Sequence, residues 1–393
     1  MRYSSLTEEL KGLGTGRWAV HARAHSRSLA GDDIVMLSIG EPHIPTPAAI
    51  VDRAAASLRS GRTKYAIGRG EPELLATLAK RYSDRSGRTV GSDQVTFFPG
   101  SHTALYALCQ TLLEAGDEIL VPDPFYASYE GIIKASRASI VTVPLRPESG
   151  FHLEVASLEQ VVTPRSRVLL LNNPHNPTGA VLTPQRVREV AEFCRRHDLW
   201  LISDEAYEHL IYEGTFASPF DMDEFADRTA VIASVSKSHA MTGWRCGWAV
   251  GSEELLERLV AVSEAMMFGS QPFAQDATEF ALTTHFDELD QMYADYKRRA
   301  RLVAELVAQS TAVDCHPPQG GIFVMVDVRA TGLSGDEFAW QLLADHNVAT
   351  MPGESFGAAG GGHIRLSLTA DDEDIRRGCE RIIAMAEGLV RGT

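Results

Sequence analysis

Short apolar runs alternate with amphipathic helical patterns over most of the first 250 residues. Runs at 168–172, 200–203 and 231–234 are rich in Leu or β-branched residues and show little apolar–polar alternation. Such runs are typical of strands that are buried on both faces. A helical pattern at 184–197 separates the first two. Strands that alternate with helices of about 10–15 residues predict βαβ units and a mostly parallel sheet.

The surrounding patterns predict more elements of the same kind. Before residue 150 we expect helices at 47–60, 71–86, 101–113 and a segment ending near 135, with strands at 94–98, 118–121 and 140–143. After about residue 250 the pattern predicts helices at 252–266, 286–309, 334–346 and 371–389, with strands at 321–328, 348–351 and 363–368. We therefore expect a large domain at 46–290 and a smaller α+β domain formed by 1–45 and 291–393.

Charge and composition exclude several classes of protein. The chain has 37 basic and 52 acidic residues and a net charge of −15, which disfavours nucleic-acid and anionic membrane partners. No apolar stretch reaches the roughly 18 residues of a membrane span, and the start lacks the apolar segment of a signal peptide. Five Cys form no CxxC pair, which favours reduced thiols in the cytoplasm. No zinc motif appears, so we expect no metal site.

Polar residues follow the three buried runs. Asn176 lies in NNPHNPTG after the first run, Asp204 and Tyr207 follow the second, and Lys237 follows the third. Ligands of open α/β sheets bind at the carboxyl ends of strands, so we expect these side chains to share a site. Of the six Lys, only Lys237 directly follows a buried strand. A simple Asx/Pro turn at 172–179 and a surface loop at Lys237 remain alternatives.

An anion site is predicted beside these residues. Gly100-Ser101-His102 begins a predicted helix, where backbone N–H groups and the helix dipole favour an anion, and Arg245 follows Lys237 by eight residues. A Lys amine forms a Schiff base with an aldehyde, and an Asp such as Asp204 keeps a pyridine nitrogen protonated. An aldehyde, a ring nitrogen and a phosphate together describe pyridoxal 5′-phosphate. We therefore expect that cofactor.

Motifs along nearly the whole chain carry a family resemblance. LSIGEP, NPHNPTG, SDExY, SxSKxxxxTGWRxG, PGExFG and HIRLSL together resemble the class I/II aminotransferases, which are fold-type I pyridoxal-phosphate enzymes related to aspartate aminotransferase. MRYS, SKSHAMTGWR and GGIFVMVDVRATGLS are similar to segments of bacterial arginine–pyruvate transaminases. Each motif is weak alone, whereas their joint order is specific. The resemblance implies an α/β fold with a mostly parallel central sheet flanked by helices, plus a smaller α+β domain.

The resemblance also implies a role for each candidate residue. Lys237 would bind the cofactor covalently and carry the proton, Asp204 would pair with the ring nitrogen, and Tyr207 with Asn176 would bind the phenolic oxygen. Tyr126 would stack on the ring. The phosphate would be held by Gly100, Ser101, His102, Ser234 and Arg245, and in the neighbouring subunit of a homodimer by Tyr65. Gly40, Asn176 and Arg365 would bind the substrate α-carboxylate.

Three functions remain open at this point. The first is transfer of an amino group from an L-amino acid, with arginine or a broad donor favoured over aspartate, to a 2-oxo acid such as pyruvate. Aspartate with 2-oxoglutarate is the alternative pair. The second is elimination, decarboxylation or oxidation at the same site. The third is a transcription regulator, which the early start of the motifs at Gly40 and the acidic charge disfavour.

Two residues also keep alternative placements. Arg365 could also be a strand-edge residue, and Trp18 could cover the substrate or anchor the core.

Overall fold

A computed structural model describes residues 1–13, 16–66 and 68–392. The predicted domain ranges also contain residues 14, 15, 67 and 393, which lie outside the described residues. In chain order the strands are β1 (Val35–Met36), β2 (Val95–Phe98), β3 (Glu118–Asp123), β4 (Ser139–Pro144), β5 (Ser166–Asn172), β6 (Trp200–Asp204), β7 (Thr229–Ser234), β8 (Gly247–Val250), β9 (Asp314–Cys315), β10 (Phe323–Asp327), β11 (Val348–Ala349), β12 (Met351–Pro352) and β13 (His363–Ser367).

The helices follow the predicted pattern closely. They are α1 (Ser5–Leu10), α2 (Ala19–Leu29), α3 (Ala48–Arg59), α4 (Pro72–Ser86), α5 (Ser101–Leu112), α6 (Tyr129–Ala135), α7 (Val155–Glu159), α8 (Pro184–Arg196), α9 (Glu253–Met267), α10 (Pro272–Thr283), α11 (Asp287–Val307), α12 (Gly335–His346) and α13 (Asp372–Gly392). Across the described part of the chain, none of them has the length and apolar character that a bilayer span requires.

A mostly parallel sheet forms the centre of the fold. Its order is β2-β8-β7-β6-β5-β3-β4, and β8 runs antiparallel to both of its neighbours. In β5, Val168 and Leu170 pack with apolar side chains of α5, α6 and α9, whereas Leu169 and Leu171 pack with those of α8 on the other face. Burial on both faces explains why the sequence shows no alternation there. The predicted fold class is confirmed.

The three central strands end level with one another. Asn172 at the end of β5 pairs with Asp204 at the end of β6, and Asp204 pairs with Ile232 of β7. Parallel strands in this register bring their last residues to one edge. Asn172, Asp204 and Ser234 therefore share the carboxyl edge of the sheet.

A second, antiparallel sheet has the order β12-β13-β10-β9. Beside it, β1 pairs in parallel with β11, with Val35 opposite Val348. Residues from the start of the chain therefore pair with residues near its end, in line with the expected packing of the N-terminal segment. The division into 46–290 and 1–45 with 291–393 stays a prediction.

Several elements differ from the predicted pattern: α1, α2, α7, α10, β1, β8 and β9 were not predicted, and one predicted strand is divided. The single strand expected at 348–351 is two strands, because β11 pairs with β1 whereas β12 pairs with β13. Helix α10 was not predicted. Its buried positions include Gln275 and Thr278 between small residues, so the apolar periodicity that reveals a helix is weak there.

Candidate active site

A cavity of about 390 Å³ opens at the carboxyl edge of the central sheet. Most of the residues predicted for the site line it. These are Gly40, Ser101, His102, Tyr126, Asn176, Asp204, Tyr207, Ser234, Lys237, Arg245 and Arg365. Trp18 also lines the cavity, and it packs with Ala127, Met351 and Phe356. It is therefore placed beside the substrate site and against the core at the same time.

The anion-binding end of the cavity is built at the start of α5. Gly100 has a φ of 88°, and within the described chain no acceptor pairs with the backbone N–H groups of Ser101 and His102. A Cβ atom on Gly100 would clash with Arg245. A Cβ atom on Gly247 would lie 2.5 Å from the Ser101 nitrogen. Glycine at both positions therefore lets the turn, the guanidinium and β8 pack together, leaving two amides free for a phosphate.

Asp204 is buried, and its backbone is fixed from the neighbouring strand. Asn172 Nδ2 donates to its carbonyl oxygen at 3.0 Å. Its carboxylate accepts hydrogen bonds from the Tyr129 hydroxyl at 2.5 Å and from the Ala206 amide at 3.1 Å. Burial raises the pKa of Asp204, while these two hydrogen bonds lower it. No Lys, Arg or His of the described residues forms an ion pair with this carboxylate, so a cationic ring nitrogen suits it.

Tyr129 is a site residue that the sequence analysis missed. Besides its bond to Asp204, it packs edge-on against Tyr126 with ring centroids 5.5 Å apart. Both tyrosines line the cavity at the start of α6. Their i, i+3 spacing in YASY was the available signal, since residues three apart share one face of a helical turn.

Lys237 lies beside the end of β7 and is partly buried. Its Nζ donates to the Gly40 carbonyl oxygen at 2.6 Å. Desolvation lowers the pKa of Lys237 to about 8, and the charges of Arg365 and Arg245 act in the same direction, whereas Glu41 raises it. The neutral fraction at a given pH is therefore larger than that of an ordinary lysine, which favours this amine as a nucleophile and base.

Arg365 is a buried cation that has no carboxylate partner in the described part of the chain. It is 1% exposed, and its guanidinium lies between the rings of Phe323 and Phe356, 3.8 and 4.3 Å from their centroids. It donates to Asn176 Oδ1 at 3.0 Å and to the Ser38 carbonyl oxygen at 2.9 Å. Burial lowers the pKa of Arg365. It belongs to β13, which has neighbours on both sides, so it is not a strand-edge residue.

Tyr207 completes the group around Asn176. It is 6% exposed and lines the cavity together with Asn176. Burial raises the pKa of Tyr207, so the hydroxyl remains protonated and can donate a hydrogen bond. A phenolic oxygen between Tyr207 and Asn176 would find two donors.

Tyr65 lies apart from the cavity. It is 86% exposed and packs edge-on against Phe268 at a centroid distance of 5.0 Å. Its predicted contact with the cofactor of a neighbouring subunit stays a prediction. Among residues 1–13, 16–66 and 68–392, no group of three or more His, Cys, Asp or Glu side chains is placed to hold a metal ion.

Known proteins with similar sequences and structures identify the family. The family model for aminotransferase class I and II matches residues 32–382. The chain is 44% identical over 390 residues to arginine–pyruvate transaminase AruH of Pseudomonas aeruginosa, covering 99% of each protein. It is 34% identical to an aspartate/prephenate aminotransferase of Thermus thermophilus, covering 92% of this chain and 94% of that protein.

A solved structure agrees with this assignment. Thermus thermophilus aspartate aminotransferase with maleate matches at a TM-score of 0.91 and 33% identity, covering 98% of this chain and 100% of that one. Pyridoxal 5′-phosphate fits the groups observed among the described residues: two backbone amides without an acceptor at the start of α5, the buried Asp204 carboxylate without a cationic partner, and the Lys237 amine of lowered pKa. The chain belongs to the class I and II aminotransferases and is a pyridoxal-phosphate-dependent transaminase.

Proposed function

We propose that the enzyme moves the amino group of L-arginine, or of a related basic amino acid, to a 2-oxo acid such as pyruvate. The similarity to AruH supports this choice. The observation that carries it is the set of cations in the cavity. Among the described residues, the lysines and arginines that line it are Lys237, Arg245 and Arg365.

Each of these cations has a proposed partner. Arg245 faces the cofactor phosphate, Lys237 binds the cofactor, and Arg365 takes the substrate α-carboxylate. Desolvation of the ring, followed by the charge of Arg245, lowers the pKa of His102, so His102 is neutral near pH 7. The second carboxylate of an aspartate donor would find no further lysine or arginine among the described residues that line the cavity. A basic side chain needs none, and the face of Trp18 suits a guanidinium.

The binding of the amino donor follows from the surroundings of Arg365. Its guanidinium is fixed by two phenyl rings and by Asn176, so little side-chain entropy remains to be lost when a carboxylate binds. Its Nε has no hydrogen-bond partner within the described chain and can donate. We propose that Arg365 and Asn176, with Gly40 beside them, orient the donor so that its Cα–H bond faces Lys237.

Proton transfer is assigned to Lys237. Bound pyridoxal phosphate supplies an electron sink that acidifies the substrate Cα–H bond. Lys237 Nζ would carry that proton, because among the described residues it is the lysine that lines the cavity. Asp204 keeps the ring nitrogen protonated, and Tyr207 with Asn176 hydrogen-bonds the phenolic oxygen. Tyr126 stacks on the ring, while Gly100, Ser101, His102, Ser234 and Arg245 hold the phosphate.

The organisation of the protein is also a proposal. We propose a large domain at 46–290 and a small domain of 1–45 with 291–393, which the pairing of β1 with β11 supports. A cytoplasmic enzyme agrees with the five free Cys. We propose a homodimer in which Tyr65 reaches the partner's cofactor. The side chains of Tyr65, Met266 and Phe268 are apolar and exposed, which supports the proposal that a second subunit covers this surface.

Donor preference tests the proposed substrate. We expect L-arginine with pyruvate to give a higher kcat/KM than L-aspartate with 2-oxoglutarate, because the described residues that line the cavity offer no further lysine or arginine for a second carboxylate. L-Citrulline, a neutral analogue of arginine, is the matched control for the guanidinium charge. If aspartate is the better donor by tenfold, which corresponds to about 1.4 kcal/mol, the basic donor is wrong.

The pH dependence of cofactor attachment tests Lys237. We expect the rate constant for covalent attachment to cofactor-free enzyme to rise with pH with a midpoint at about 8, because only the neutral amine attacks. Glu41→Gln should shift the midpoint downward, since Glu41 raises the pKa of Lys237. Stopped-flow absorbance measures the rate. A midpoint near the ordinary lysine value, or attachment to Lys237→Ala, contradicts the assignment.

Mixed dimers test the role of Tyr65. In a dimer of one Lys237→Ala chain and one Tyr65→Phe chain, a contact across the interface leaves one wild-type site and one doubly altered site. We therefore expect the mixture to regain tight cofactor binding, measured by equilibrium dialysis after sedimentation confirms the dimer. If Tyr65 acts within its own chain, no wild-type site forms. Monomers with full activity would refute the dimer itself.

A further inference from the structure

The turn after β6 has a second face directed away from the cavity. Asp204, Ala206 and Tyr207 line the cavity, whereas Glu205 and Glu208 do not. The side chains of these two glutamates are 0% and 7% exposed. Two buried carboxylates therefore lie on the turn that carries two of the proposed cofactor ligands.

A single arginine of α4 joins these carboxylates. Arg85 Nη1 lies 2.9 Å from Glu205 Oε2 and 2.5 Å from Glu208 Oε2, and Arg85 Nε lies 2.8 Å from Asp221 Oδ2. The Tyr82 ring lies 4.7 Å from the guanidinium carbon. The guanidinium is thus fixed by three carboxylates and an aromatic face.

Apart from Arg85, Glu205 and Glu208 have few polar partners. Arg81 Nη2 pairs with Glu208 at 2.9 Å, and the hydroxyls of Ser203 and Ser218 donate to Glu205. Burial raises the pKa of Glu205 to about 7, and Arg85 is the largest opposing influence. Without Arg85, Glu205 would have no cationic partner among the described residues. Buried charges that lose their partner must take up water, a proton or a new position.

We propose that Arg85 is a positioning residue for transamination, holding the 204–209 turn so that Asp204 and Tyr207 keep their places against the cofactor ring. The inference rests on the proposed roles of Asp204 and Tyr207. Arg85 does not line the cavity, so its effect reaches the reaction through the turn. A displacement of the turn would alter the bonds to the ring nitrogen and to the phenolic oxygen.

Substitution of Arg85 in the holoenzyme tests the proposal. Arg85→Met should lower kcat by about tenfold or more, because small misplacements of catalytic groups are costly, while the KM of the donor changes little. The pH midpoint of the bound cofactor's absorbance should shift as well. Arg85→Lys keeps the charge but loses the planar fork, so it should give a partial rescue of both quantities.

Two reference variants make the result decisive. Arg165→Met removes the guanidinium that pairs with the buried Glu118. Glu118 lies at the amino end of β3, at the opposite edge of the sheet from the cavity. This variant should leave kcat and the cofactor absorbance unchanged. Tyr207→Phe should shift the absorbance midpoint in its own right. If Arg85→Met does not fold, Arg85→Lys and Glu208→Gln carry the test.

The outcomes distinguish a failure of the positioning role of Arg85 from a failure of the role assigned to Tyr207. Folded, cofactor-saturated Arg85 variants with wild-type kcat and absorbance overturn the positioning role, even if their unfolding temperature falls, provided that Tyr207→Phe is impaired. If Tyr207→Phe itself behaves as wild type, the role assigned to Tyr207 fails and the positioning proposal fails with it.

Discussion

A carboxylate that ends an apolar strand must find hydrogen-bond donors or a cation, and the site is organised around this requirement at Asp204. Tyr129 and the Ala206 amide satisfy it in part. Burial still raises the pKa of Asp204, because no cation of the described chain pairs with it. Removing the partner of a buried ion typically costs about 3–5 kcal/mol. In the proposed assignment a protonated ring nitrogen would supply the missing partner, so cofactor binding and the stability of the charged carboxylate would depend on each other.

A buried cation of the site likewise needs an anionic partner. Arg365 is buried between two phenyl rings and has no carboxylate partner among the described residues, so in the proposed assignment a substrate carboxylate would supply the missing counter-charge. The charges of Arg365 and Arg245 also lower the pKa of Lys237. In the proposed assignment Arg365 and Arg245 would serve the carboxylate and the phosphate, while the pKa of Lys237, lowered to about 8, makes its neutral form more accessible for covalent and proton chemistry. This division explains how three basic residues share one cavity with different roles.

Sequence patterns could predict the central sheet and most of the site because both depend on local signals. The runs before Asn176, Asp204 and Lys237 are apolar on both faces, and their polar ends fall at one sheet edge by topology alone. Tyr129 gave only the weak signal of its i, i+3 spacing from Tyr126, and Arg85 gave none. Tyr129 resembles a core tyrosine until Asp204 is placed beside it, and Arg85 resembles an exposed residue of an amphipathic helix. Their partners are distant in sequence, at positions 204, 205, 208 and 221, so only the folded chain reveals them.

The protonation state of the cofactor ring nitrogen tests the central claim most directly. NMR of enzyme loaded with pyridoxal phosphate that carries an isotopically labelled ring nitrogen measures it, in the wild type and in Asp204→Asn. We expect a protonated nitrogen in the wild type at neutral pH. In Asp204→Asn we expect a nitrogen without its proton, with the cofactor still bound and kcat lower by orders of magnitude, because the electron sink fails. A ring nitrogen that stays protonated in Asp204→Asn, together with activity near wild type, would contradict the account.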